Sequence, residues 1–238
     1  MKPLSSLLAF VTAGFLVASP LAAQQPPPGI VWQRPFGEAT FHDIRRLPDG
    51  GFIAVGETAS NVFPVTAGCF QATFAGVRDG VVVRVDASGG VVYATYFGGA
   101  GDDIINGVGI TPSGEAFFVG TTRSSDLPRG VNTFAALRGV QDGFAAMLDA
   151  AGATLLYRGY LGGRFMEAAR AVALAPNGQF VMCGWTNSDD FFGLRSASGS
   201  RDAFALRILP DSTGPWIVKL VGGSSSDEAT DVGIQPDP

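Results

Sequence analysis

A three-residue turn recurs along this chain at a fixed distance. Pro48-Asp49-Gly50, Pro112-Ser113-Gly114 and Pro176-Asn177-Gly178 stand 64 residues apart (112−48 and 176−112), and Pro236-Asp237 follows 60 further on (236−176). A fixed period means an array, in which each copy folds as one unit and buries its apolar face on the next. The text around the turn repeats as well. Val108-Gly109-Ile110, Val172-Ala173-Leu174 and Val232-Gly233-Ile234 precede it, and Phe52–Gly56, Ala116–Gly120 and Phe180–Gly184 follow it. Two short apolar runs joined by a Gly-containing turn predict a hairpin.

A longer loop is expected next, opened by Gly56, Gly120 or Gly184 and carrying Thr58, Thr122 or Thr186. A third strand then starts on Asp79, Asp142 or Asp202 and alternates apolar residues, as in Val81/Val83/Val85 and Phe204/Leu206/Ile208. A fourth strand ends in Gly-Gly at 98–99, 162–163 and 222–223. Four short antiparallel strands per copy predict an all-β protein, a β-propeller of four-stranded blades. The blades run over about 38–99, 100–163 and 164–223, with a partial one at 224–238. A sandwich has no reason to repeat its turns at fixed spacing.

Ile30–Gly37 aligns with Val91–Gly98 as a fourth strand without a blade, and Ala229–Ile234 is expected to be a first strand alone. About three blades plus two partial terminal strands make an incomplete ring. Either further blades lie downstream, the favoured reading, or several copies assemble as a homo-oligomer.

Met1–Ala23 has the layout of an export signal: Lys2, the apolar run Leu7–Ala18, then small residues up to Ala23. The run is shorter than the roughly 20 residues of a spanning helix. No membrane span is expected after signal removal, and Gln24–Gly29 reads as an extended linker. The expected location is periplasmic, extracellular or cell-surface. Two cysteines, Cys69 in a loop and Cys183 at a strand end, do not make a disulfide framework. The formal net charge of −5 argues against nucleic acid as a partner.

The run Tyr96–Asp103 (YFGGAGDD), the Pro-x-Gly turn, Gly120–Pro128 (GTTRSSDLP) and Asp142-Gly143-Phe144 together resemble the bacterial β-propeller repeat known as the SBBP repeat. The resemblance covers about Ile30 to the end. It implies an exported or surface protein and does not imply a chemistry.

In up-and-down blades the loops after the second and fourth strands share one end. One set carries Asp126, Asp189 and Asp190; the other carries Asp102, Asp103, Glu167, Asp227 and Glu228. These acids, with Trp185 as a sugar-stacking candidate, are the candidate ligand-binding residues. Asp103, Glu167 and Asp227 occupy one repeat position, and the first unit lacks the acid in a shorter loop at Glu38–Asp43. A position filled in copy after copy points to structure, as do Asp79, Asp142, Asp202 and the three threonines. Asp102 and Asp103 are the candidate calcium ligands, although no calcium-loop spacing is present; no other cofactor is expected. His42 is the sole histidine, which excludes a site of several His ligands, and no Gly-x-Ser-x-Gly elbow occurs. The expected function is a non-catalytic binding or scaffold module that takes protein or glycan on its loop face. The alternatives are a carboxylate-dependent glycoside hydrolase or lyase on that face and a structural segment of a longer repeat protein.

Overall fold

The computed structural model describes residues 35–195, 201–209 and 217–234. The export signal, the linker, most of the Ile30–Gly37 strand, Trp32, Trp216 and the Pro236-Asp237 turn lie outside the described residues. What is described is all-β, with no helix. No helix among these residues is long and apolar enough to cross a membrane.

Among the described residues thirteen strands form three sheets. β1 (Ala39–Arg46), β2 (Phe52–Thr58), β3 (Asp79–Val85) and β4 (Val91–Phe97) make the first, paired in chain order. The second holds β5 (Asp103–Ile110), β6 (Ala116–Thr122), β7 (Asn132–Phe134), β8 (Asp142–Leu148) and β9 (Leu155–Leu161), in the order β5-β6-β8-β9-β7. The third holds β10 (Glu167–Leu174), β11 (Phe180–Thr186), β12 (Asp202–Ile208) and β13 (Ile217–Val221), again in chain order. All pairings are antiparallel except β7 with β9.

The recurring turn closes the first hairpin of each sheet. Gly50, Gly114 and Gly178 take φ of +88, +94 and +80°, a region costly for residues with a Cβ. The same hairpin carries a bulge in each copy, leaving His42, Asn106 and Arg170 without a Cα partner. Beside each bulge stands Gly56, Gly120 or Gly184, where a Cβ would fall within 2 Å of a carbonyl oxygen across the ladder.

The second strand therefore runs through its glycine and ends on the threonine. Gly56–Thr58, Gly120–Thr122 and Gly184–Thr186 are strand, not the loop expected from sequence. Likewise Asp103 and Glu167 open β5 and β10, and Ala39–Asp43 belongs to β1. Ala39 pairs with Thr58 as Asp103 pairs with Thr122, so the acid is missing from the first unit by substitution, not by a shorter loop. Residues 229–234 form no strand, although the Ala229 N–H donates to the Gly184 carbonyl at 3.3 Å.

Each sheet buries one face on the next. Ile53, Val55, Val82, Tyr93 and Phe97 of the first unit meet Ile105, Val108, Phe118 and Phe144 of the second. The register-equivalent Phe117, Val119, Ala145, Tyr157 and Leu161 meet Ala169, Val172, Phe180 and Phe204 of the third. Phe117 stacks on Phe180 at 4.0 Å between ring centres. In the third unit the same register falls on Val181, Cys183, Ala205, Ile217 and Val221. Ile217 and Val221 are 43% and 68% exposed, whereas Tyr93, Phe97, Tyr157 and Leu161 are buried. Cys183 lies mid-strand, not at a strand end. Both Cys69 and Cys183 are free thiols.

Candidate functional site

The acids expected on the loop face divide into two groups once their partners are known. The first seals the junction between sheets. Asp103 is wholly buried; its Oδ1 accepts from Thr122 Oγ1 at 2.5 Å, and its Oδ2 accepts from Ser124 Oγ at 2.7 Å and Gly99 N at 2.8 Å. Its own N–H donates to the Arg78 carbonyl, at 2.8 Å. Glu167, also wholly buried, repeats this with Thr186 Oγ1 (2.6 Å), Gly163 N (2.9 Å) and the Gln141 carbonyl (3.0 Å). Asp227 repeats the two backbone bonds, from Gly223 N at 2.9 Å and to the Arg201 carbonyl at 2.8 Å. In the first unit, where Ala39 stands, Thr58 Oγ1 turns to the Glu38 carbonyl instead. Burial pushes the carboxyls of Asp103 and Glu167 above the usual range.

Asp79, Asp142 and Asp202 are buried at the start of the third strand. Asp79 Oδ2 accepts from Ala75 N and Gln71 Nε2; Asp142 accepts from Arg138 N and Gly139 N. Asp79 and Asp142 each thus tie the preceding loop to their own strand.

The second group is spent on arginines and loop amides. Arg78 holds Asp102 in a two-toothed pair at 2.7 and 2.9 Å and also reaches Glu57 at 3.0 Å. That hydrogen bonding holds the Asp102 carboxyl below its ordinary range. Asp126 Oδ1 accepts from Ala100 N, and Asp190 Oδ1, its repeat equivalent, from Arg164 N. Asp189 pairs with Arg164, Asp190 with Arg138, and Glu228 with both Arg201 and Arg170. Loops after second and fourth strands do meet, since Asp126 and Asp190 accept from the residues that follow the Gly-Gly pairs, Ala100 and Arg164. The carboxylates of Asp102, Asp189, Asp190 and Glu228, however, face donors and not one another, while buried Asp103 also lies near Asp79.

Asp102 and Asp103 diverge although adjacent in sequence, because Asp103 turns into the junction while Asp102 meets Arg78. No group of three or more His, Cys, Asp or Glu that could hold a metal occurs among the described residues.

Trp185 requires a correction. It lies inside β11, 3% exposed, with the Arg201 guanidinium 4.1 Å from its ring centre. Its strand position faces Ala203, as Glu57 faces Gly80. The residue before the third-strand acid covers it, just as Arg78 reaches Glu57. The guanidinium occupies one face of the ring.

The arginines were the residues the sequence reading passed over. Arg78 and Arg201 immediately precede Asp79 and Asp202, a spacing that places them beside the next unit's acids. Arg158, inside β9, carries no such spacing signal.

No family model matches this chain, and no curated protein matches it. Two mutants of the Synechocystis apocarotenoid oxygenase superpose with a TM-score of 0.40 at 13% identity, over 74% of this chain and 37% of theirs. A third mutant gives 0.38 at 11% identity, over 71% and 35%. The chain thus spans little more than a third of the length of those structures.

Proposed function

We propose that this chain is an exported, non-catalytic binding or scaffold module, built as successive blades of a β-propeller and using its loop-bearing end to hold a protein or a glycan. One observation carries the reading: the carboxylates of Asp102, Asp103, Asp126, Glu167, Asp189, Asp190, Asp227 and Glu228 are already bonded to arginines, hydroxyls or backbone amides. A hydrolase acid and its partner carboxylate need oxygens free to meet a bond between them. Here Asp102, Asp189 and Glu228 meet guanidinium groups, and Asp103 and Glu167 meet hydroxyls and amides. The result is a stiff, charge-paired surface, which suits presentation of a fixed shape.

The propeller part of the reading is supported by recurrence of the acid–Gly-Gly–Thr junction at each described unit boundary. It is also supported by the first strand of the first unit. Phe41 and Ile44 are 39% and 58% exposed, while their register equivalents Ile105, Val108, Ala169 and Val172 are buried against the preceding sheet. Apolar positions kept at a face that no other described sheet covers support the reading of it as a blade face.

The test is a paired assay on one panel of soluble oligosaccharides: binding by calorimetry, and turnover by release of reducing ends or unsaturated products. Binding without turnover is the expected result. Turnover abolished by Asp102→Asn or Asp189→Asn would overturn it in favour of the hydrolase or lyase.

A further inference from the structure

The three units agree at most positions, and where one departs from the others its departure needs its own reason. Arg158 is the strongest departure. It sits in β9 opposite Ala146, where the other two units place Ala94 and Val218. It is only 4% exposed. Nε donates to the Pro128 carbonyl at 3.3 Å, Nη1 to the Ala135 carbonyl at 3.1 Å, and the guanidinium lies 4.7 Å from the Tyr160 ring centre. None of the ion pairs among the described residues includes Arg158 or Arg129. A cation removed from water without a counter-charge is unfavourable, and proteins retain one where something supplies that charge.

Three further irregularities meet at the same place. β7 adds to the outer edge of β9 as a strand and pairs Thr133 with Arg158, where the first unit's loop bonds to β4 through Thr66 and Gln71 without forming a strand. Ala135, whose carbonyl orients Arg158, holds φ at +59°, a conformation a residue with a Cβ adopts only when its surroundings impose it. Between this segment and β9 lies a cavity of about 540 Å³, lined by Arg158 and Arg129 together with Ser125, Thr133 and Tyr160. Asp126 also lines it, but its Oδ1 is taken by Ala100 N. The same cavity is therefore lined by two guanidinium groups, one carboxylate and three hydroxyls, of which that of Tyr160 already donates to the Ser124 carbonyl.

We propose that this cavity is a binding site for the carboxylate of an acidic sugar, a uronate residue of a glycan. Arg158 gives two of its five N–H groups to carbonyls and keeps the rest; a planar carboxylate matches a guanidinium edge with two parallel bonds. Ser125 and Thr133 supply hydroxyls for the ring. The proposal rests on the glycan branch of the reading above and names its ligand.

The experiment titrates the chain with trigalacturonate, cellotriose, inorganic sulfate and an acidic hexapeptide, using calorimetry. The wild-type chain is expected to bind trigalacturonate and not cellotriose. Arg158→Gln is expected to weaken that binding about 10- to 100-fold, as loss of a charged hydrogen-bonded contact does. Arg158→Lys should restore part of it, and Arg129→Gln, at an exposed position that leaves the fold intact, should weaken it less. Circular dichroism of each variant separates loss of site from loss of fold. Binding of trigalacturonate unchanged in both arginine variants overturns this site while leaving a glycan-binding module standing. Equal binding of cellotriose does the same. Sulfate as tight as trigalacturonate, or the peptide in place of it, overturns the sugar assignment, and no binding of any probe overturns the site.

Discussion

Asp79 offers the sharpest test of what the buried acids do. It is wholly buried, its Oδ1 has no hydrogen-bond partner, and the carboxyl of Asp103 lies close by across Gly98. Burial, reinforced by the Asp103 charge and opposed by the Ala75 and Gly76 amides, moves its pKa from 3.8 up to about 6. The folded state therefore holds this proton more tightly than the unfolded chain does. The associated stability is complete below about pH 4 and is lost as pH rises through 6. A gap of about two pH units corresponds to about 3 kcal/mol, an upper value because a buried site relaxes. Asp79→Asn removes the charge and keeps an acceptor for Ala75 N–H. The variant should match the wild type at pH 4 and exceed it progressively up to pH 7, by at most about 3 kcal/mol. Urea denaturation at pH 4, 5, 6 and 7 measures this. A stability difference that stays flat with pH, or one that favours the wild type more strongly as pH rises, would refute the reasoning.

Other expectations follow from the same contacts. Gly184→Ala puts a Cβ 1.9 Å from the Ala168 carbonyl and should cost about 3 kcal/mol or more, read as a drop in denaturation midpoint. Phe117→Ala empties one side of the Phe117–Phe180 stack at the second sheet junction and should cost about 3–5 kcal/mol. Arg78→Ala, at a side chain 35% exposed, should cost no more than about 1 kcal/mol, and less at high salt. The thiol of Cys183, pushed by burial up to about 11, should react with a thiol reagent at pH 8 far more slowly than in the unfolded chain.

The strand plan was legible because turns, glycines and alternation recur together. Pro-x-Gly marks the first hairpin, and the apolar alternation after Asp79, Asp142 and Asp202 marks the third strand. The extent of the second strand was not legible, because Gly56, Gly120 and Gly184 read as loop openers. Their smallness instead serves a carbonyl pressed against the ladder at the bulge. The acids were visible as positions but not as roles: recurrence pointed Asp103 and Glu167 to structure, while nothing local shows that Asp102 belongs to Arg78. Trp185 was misplaced for the same reason as the glycine before it. β7 carries no alternation, and Arg158 signals itself only when β9 is compared with the strands carrying Ala94 and Val218.

The central claim is a division of labour: residues that recur hold sheets together, and residues that break the recurrence bind. A single calorimetric titration with trigalacturonate, run on Glu167→Gln and Arg158→Gln beside a thermal melt of each, tests it most directly. The account predicts that Glu167→Gln lowers the melting temperature and leaves the affinity intact, because it disturbs a junction bonded to Thr186 and Gly163. It predicts that Arg158→Gln weakens trigalacturonate binding about 10- to 100-fold with a smaller fall in melting temperature than Glu167→Gln. The reverse pattern, with affinity lost at Glu167 and retained at Arg158, would contradict it.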